Sequence, residues 1–151
     1  MISRKTKYGL NALIFLAKSQ PDKAVLISEL AEQESIPKKF LEHILLELKK
    51  HGILQSKKGK GGGYLLGKPA REIYLGTVIR ILEGPLAPVA CVSQTAYQKC
   101  DECKDEKSCG IHLIMKDVRQ AMADILDNTS LQDIIQRVND QVSEQRFNYV
   151  I

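Results

Sequence analysis

Residues 28–66 read SELAEQESIPKKFLEHILLELKKHGILQSKKGKGGGYLL, and this stretch decides the fold. A short helix over Ile27 to Gln33 begins near Ser28, whose oxygen can cap it, and turns Leu30 and Ala31 inward. Glu34, Ser35 and Ile36 form a tight turn. A second helix starts at Pro37, a favoured first-turn residue, and runs to about Lys50, where His51 and Gly52 provide a stop. Phe40, Leu41, Ile44, Leu45 and Leu48 make its apolar stripe, while Lys38, Lys39, Glu42, His43, Glu47 and Lys50 face outward. Two short helices joined by a few residues, the second with a polar tip, make a helix-turn-helix.

Ile53 to Ser56 and Tyr64 to Leu66 then read as two short strands around a KKGKGGG tip, which is how a wing reads. Gly59, Gly61, Gly62 and Gly63 let the backbone approach another surface, and Lys57, Lys58 and Lys60 set charge beside them. A nucleotide-binding loop is excluded because a strand follows instead of a helix and the lysine-Ser/Thr pair is missing.

Upstream, Ser3 is placed to cap a first helix carrying Tyr8, Leu10, Leu13, Leu16 and Ala17, which ends before Pro21. Downstream, Thr77 to Glu83 predicts a further helix that stops at Gly84-Pro85. A long aperiodic segment follows, of the kind that is usually functional or disordered. The helical pattern returns with Ile111, Ile114, Val118, Ala121, Met122 and Ile125, a seam that fits a short coiled-coil face or a core helix. Asp127 to Thr129 breaks it, Thr129 or Ser130 caps a last helix through Leu131, Ile134, Ile135 and Val138, and the polar tail from Gln141 is expected to end poorly ordered.

At 151 residues, 44% hydrophobic and 26% charged, the composition is that of a soluble globular chain. It contains no apolar run of membrane-spanning length, and its start lacks a secretory signal, so the expectation is a cytoplasmic protein. The net charge of +4 divides unevenly. Residues 1–71 carry 14 Lys+Arg against 6 Asp+Glu, and residues 72–151 carry 8 against 12. A basic first half points to a polyanion partner. The three histidines, His43, His51 and His112, have no nucleophile at motif spacing, so no enzyme is expected.

All four cysteines fall between Cys91 and Cys109, spaced C-x8-C-x2-C-x5-C, and His112 follows after two residues. In a reducing compartment such crowding favours metal or redox ligands over structural disulfides. Tetrahedral zinc, an iron-sulfur cluster and a thiol-disulfide switch all compete on spacing alone.

Over nearly its whole length the chain resembles the Rrf2 family of bacterial winged-helix transcription regulators, and within it the iron-sulfur branch. The resemblance rests on KTKYGL at 5–10, IPKKFLE at 36–42, KGGGYLLG at 60–67, LGTVI at 75–79, CGIH at 109–112 and NTSLQD at 128–133. It implies three cluster cysteines, which match Cys91, Cys103 and Cys109, and a variable fourth ligand, which matches His112. The chain departs from the pattern by a longer first loop and by Cys100, which could replace Cys103 or act as the fourth ligand, leaving 2Fe-2S and 4Fe-4S both open.

The expected protein is mainly α with a small β wing. A winged helix-turn-helix domain spans 1–84, a cysteine-rich cluster loop 85–110, a dimerisation helix and C-terminal helix 111–142, and a tail 143–151. A homodimer would read a palindromic operator in double-stranded DNA and repress under cluster control. Ser3, Lys5, Lys38, Lys39, Glu42, His43, Lys57, Lys58, Lys60, Gly61, Gly62, Gly63 and Tyr64 are the expected DNA-facing residues. The alternative is a zinc-binding or cluster-free regulator acting through thiol chemistry or a protein partner.

Overall fold

The computed structural model describes the chain from residue 2 to residue 148. Its helices are α1 (Arg4–Lys18), α2 (Ile27–Gln33), α3 (Lys38–Lys50), α4 (Leu75–Leu82), α5 (Gly110–Leu126) and α6 (Leu131–Asn148). Two strands, β1 (Leu54–Lys57) and β2 (Gly63–Leu66), pair antiparallel with Leu54 opposite Leu66 and Lys57 opposite Gly63. The result is the expected winged helix-turn-helix with a long helix standing beyond it.

Local chemistry sets the element ends. Ser3 caps α1, its oxygen accepting the Thr6 N–H at 3.3 Å, and the helix ends at Ser19, two residues before Pro21. The cap expected at Ser28 is not used. Val25 is bridged to Tyr64 by two backbone hydrogen bonds of 2.8 Å, and the Leu26 carbonyl already accepts the Leu30 N–H at 3.0 Å. That pinning starts α2 at Ile27 and leaves Ser28 inside its first turn. Pro37 likewise precedes α3 as its N-cap residue, donating no N–H and accepting the Leu41 N–H at 3.0 Å through its carbonyl.

Leu41, Ile44, Leu45 and Leu48 bury the inner face of α3 against Ala12 and Leu13 of α1 and Leu30 of α2. Phe40 departs from the expected buried stripe. It sits at the stripe's edge, 41% exposed, and meets Tyr8 edge-on with ring centroids 5.7 Å apart. At Gly9, α1 passes so close to α4 that a Cβ would lie 2.4 Å from Leu82.

The expected helix at Thr77 instead begins at Leu75, because the Leu75 N–H is held by the Thr129 carbonyl at 2.9 Å. Leu131 donates in turn to the Ile73 carbonyl at 2.9 Å, and its side chain is fully buried in the core of the winged domain. The last helix runs further than the polar tail predicts. Residues 139–148 contain no glycine or proline, Gln136 bonds Asp140 one turn on at 2.8 Å, and α6 continues through Asn148. The expectation of a poorly ordered end at residues 149–151 lies outside the described residues.

Candidate functional site

Two surfaces carry the sequence-predicted residues. On the first, Lys38, Lys39, Glu42 and His43 are all exposed on one side of α3, opposite its buried stripe. Lys58 and Lys60 are exposed at the wing tip, and Gly61 beside them takes a left-handed φ of 75°. Lys57 is exposed but tied back, its ammonium donating to the Asp22 carbonyl at 2.8 Å.

Other predicted residues have intramolecular work. Lys5 pairs with Glu47 at 2.6 Å, so α1 is tied to α3. Ser3 caps α1 and donates its N–H to Glu83. Gly63 lies against Val25, where a Cβ would fall 2.2 Å from the Val25 carbonyl oxygen, and a Cβ on buried Gly62 would fall 2.7 Å from two carbonyl oxygens of the wing. Tyr64 packs on the core and forms the bridge to Val25. The hairpin's own geometry therefore demands glycine at 62, and its contact with Val25 demands glycine at 63.

The second surface is the cysteine loop. Leu86 and Val92 anchor it by burial, and Cys91 rides on a single 3-10 turn at Ala90–Val92. Cys100 and Cys103 flank a turn closed by the Cys103 N–H on the Cys100 carbonyl at 3.1 Å. Asp105 caps a further turn at Glu106–Ser108, and Cys109 takes the N-cap position of α5. His112 lies in the first turn of that helix. All four cysteines and His112 line one pocket of about 450 Å³, between the loop and the start of α5.

All four thiols are free, Cys91, Cys103 and Cys109 half-buried and Cys100 exposed. Burial pushes the Cys103 thiol up, with the neighbouring Cys109 adding to it. His112 Nδ1 is buried without a hydrogen-bond partner among the described residues. No three His, Cys, Asp or Glu side chains among those residues converge on a single point as a metal cage. A donor set of soft sulfurs and one orphaned imidazole nitrogen, spread around a pocket, fits an iron-sulfur core in chemistry and in room.

Sequence reasoning missed two groups outside these two surfaces. Glu83 joins α4 to α1 through Ser3 and Thr6, and Arg119 is buried on the inner side of α5. Neither stands in a spacing motif. The one available signal for Arg119 is its position seven residues after His112, on the same helix face.

No helix among the described residues is long and apolar enough to cross a membrane. The sequence profile of the Rrf2 family, described as an iron-dependent transcriptional regulator, matches residues 2–137. An rrf2-like HTH-type transcriptional regulator of Rhodobacter capsulatus is 40% identical over 89% of this chain and 92% of its own length. The HTH-type transcriptional regulator IscR of Pectobacterium atrosepticum is 29% identical over 89% of this chain and 78% of its own. Among solved structures, CymR, the global cysteine regulator of B. subtilis, superposes with a TM-score of 0.74 at 30% identity, over 91% of this chain and 97% of that one. With a winged helix-turn-helix fold, a lysine-tipped wing and a family profile spanning most of its length, the chain belongs to the Rrf2 family of DNA-binding transcription regulators.

Proposed function

We propose that this regulator acts as a homodimer on a palindromic operator, and that an iron-sulfur cluster held by Cys91, Cys103, Cys109 and His112 controls its occupancy. One observation carries the reading: four thiols and a histidine with an unpartnered buried nitrogen line a single pocket. Zinc needs four donors around one point at about 2.0–2.3 Å, whereas donors spread around a larger space suit a multi-atom core. Cys100 differs from the other three in being exposed, which supports its standing outside the ligand set. When bound, the cluster supplies one-electron chemistry whose potential depends on its ligands and exposure, and so a response to redox, iron or nitric oxide status.

The chain's own residues supply the route to DNA. Cys109 and His112 sit on α5, and Cys91 on the loop leaving α4, so the pocket joins two elements that meet the winged domain separately. Arg80 of α4 holds Asp127, at the far end of α5, with two hydrogen bonds. Glu83 ties the end of α4 to the start of α1, and Lys5 ties α1 to α3. A shift of the loop therefore bears on the reading helix through named contacts.

The dimer reading is supported by α5, whose Ile111, Ile114 and Ile125 are 68%, 59% and 62% exposed in the single chain. The test is an anaerobic absorption spectrum with iron and sulfide analysis of the intact chain and single alanine variants. Iron is expected to be lost in Cys91→Ala, Cys103→Ala and Cys109→Ala and retained in Cys100→Ala. A colourless protein without sulfide would sink the cluster reading. The likeness to CymR favours as a second reading a cluster-free regulator acting through thiol chemistry or a protein partner, which the same spectrum distinguishes.

A further inference from the structure

On the inner face of α5, seven residues after His112, the Arg119 side chain is buried to 8% exposure. Its Nε has no hydrogen-bond partner, and no carboxylate lies within ion-pair distance of it, among the described residues. A guanidinium keeps its charge at any physiological pH, and a buried N–H donor left without an acceptor costs free energy.

Arg119 lines a small niche with Arg80, Pro85, Leu86, Ser93, Gln94 and Thr95. Arg80 is already neutralised by Asp127, which holds it through both carboxylate oxygens. Asp127 pairs with Arg80 alone, so the positive charge of Arg119 has no carboxylate partner among the described residues. Ser93, itself 8% exposed, accepts the Ala96 N–H at 3.0 Å and lines the niche with its own hydroxyl proton uncommitted among the described residues. Thr95 adds a second hydroxyl. The free space is about 20 Å³, enough for one guest the size of a water molecule.

We propose that Arg119, Ser93 and Thr95 form a binding site for a compact inorganic anion, either a halide or one oxygen of a phosphate-like oxyanion. The charge calls for an anion, the hydroxyls for an acceptor, and the volume for a single atom. Because Ser93 stands two residues after Cys91 and Arg119 belongs to α5, the bound anion fastens the cysteine loop to the long helix. The site does not depend on what the cysteines hold.

Chlorine-35 NMR of sodium chloride solutions of the full chain tests it. Line broadening by the wild-type protein is expected to exceed that by Arg119→Met at least twofold, with Thr95→Val intermediate. Reversal of the excess by added inorganic phosphate identifies the oxyanion as the preferred guest, and persistence identifies the halide. In parallel, the wild-type Tm should rise by roughly 3 °C or more on saturation, a rise lost in Arg119→Met. Equal broadening by wild type and both variants would overturn the proposal. So would an anion-indifferent wild type whose Arg119→Met variant dissociates into monomers, because the acceptor would then come from a second copy. Should Arg119→Met fail to fold, Thr95→Val against wild type decides by the same readouts.

Discussion

The carboxylate of Glu83, the residue that closes α4, accepts the Ser3 N–H at 2.9 Å and the hydroxyl of fully buried Thr6 at 2.6 Å. Hydrogen bonds from Ser3 and Thr6 pull its pKa from 4.5 down to about 2. A depressed folded-state pKa adds stability that is present above the unfolded value and lost as pH falls. Urea unfolding of the wild type should therefore lose stability between about pH 4.5 and pH 2. Glu83→Gln should be less stable at pH 7 and show a flatter acid limb, and an identical limb would remove Glu83 from the acid response.

Gly76 gives room to the ion pair between α4 and the end of α5. A Cβ there would lie 1.9 Å from Asp127 Oδ1 and 2.9 Å from Arg80 Nη1. Gly76→Ala is expected to cost about 1–3 kcal/mol, the usual range for forcing atoms into a packed site. Most of that loss should vanish in an Asp127→Ala background, measured as a double-mutant cycle by denaturant unfolding.

Lys58 and Lys60 stand free at the wing tip, while Lys57 is held by the Asp22 carbonyl. Lys58→Ala and Lys60→Ala should weaken binding to every DNA sequence and flatten the salt slope by roughly one unit for each lost phosphate contact. Lys57→Ala should change the slope less. Fluorescence anisotropy across a salt series measures all three.

Glu42 and His43 lie exposed on α3. A carboxylate facing DNA repels phosphate unless it accepts from a cytosine amino group, and a correct base contact is worth about 1–3 kcal/mol of discrimination. Glu42→Ala should therefore reorder the affinities of operator variants more than it lowers them. An unchanged ranking would leave Glu42 as a solvent-exposed partner of Lys38 or Lys39.

Val118 and Ile125 are 39% and 62% exposed in the single chain, so charge there need not disturb its core. Val118→Asp with Ile125→Asp should give a folded monomer by sedimentation, with near-native far-UV circular dichroism and weakened operator binding. A folded dimer would place the interface elsewhere.

The helix-turn-helix and the wing are legible in the sequence because each rests on local chemistry. A 3.6-residue stripe, a proline at a helix start and glycines at a turn act within a few residues. What stayed hidden depends on partners far along the chain. Ser28 has the right side chain for a cap, yet the bridge between Val25 and Tyr64 decides where α2 begins. Leu75 enters α4 because Thr129 holds it, and no window around Leu75 shows that. The cysteine spacing marked the pocket, whereas the burial that separates Cys100 from its three neighbours exists only after folding. Arg119 was invisible because an arginine among polar residues on a helix reads as a solvated surface.

Leu131, at the start of α6, is as deeply buried as Ala12 and Leu13 of α1, within the same core. The order of synthesis therefore matters. A chain emerging from the ribosome has the reading helix and the wing available by residue 66, but the core beneath them lacks a component until Leu131 follows. By then every cysteine and His112 have already been made. The winged half thus matures in the company of its own cysteine loop, and a message broken before α6 yields a winged domain with an open core.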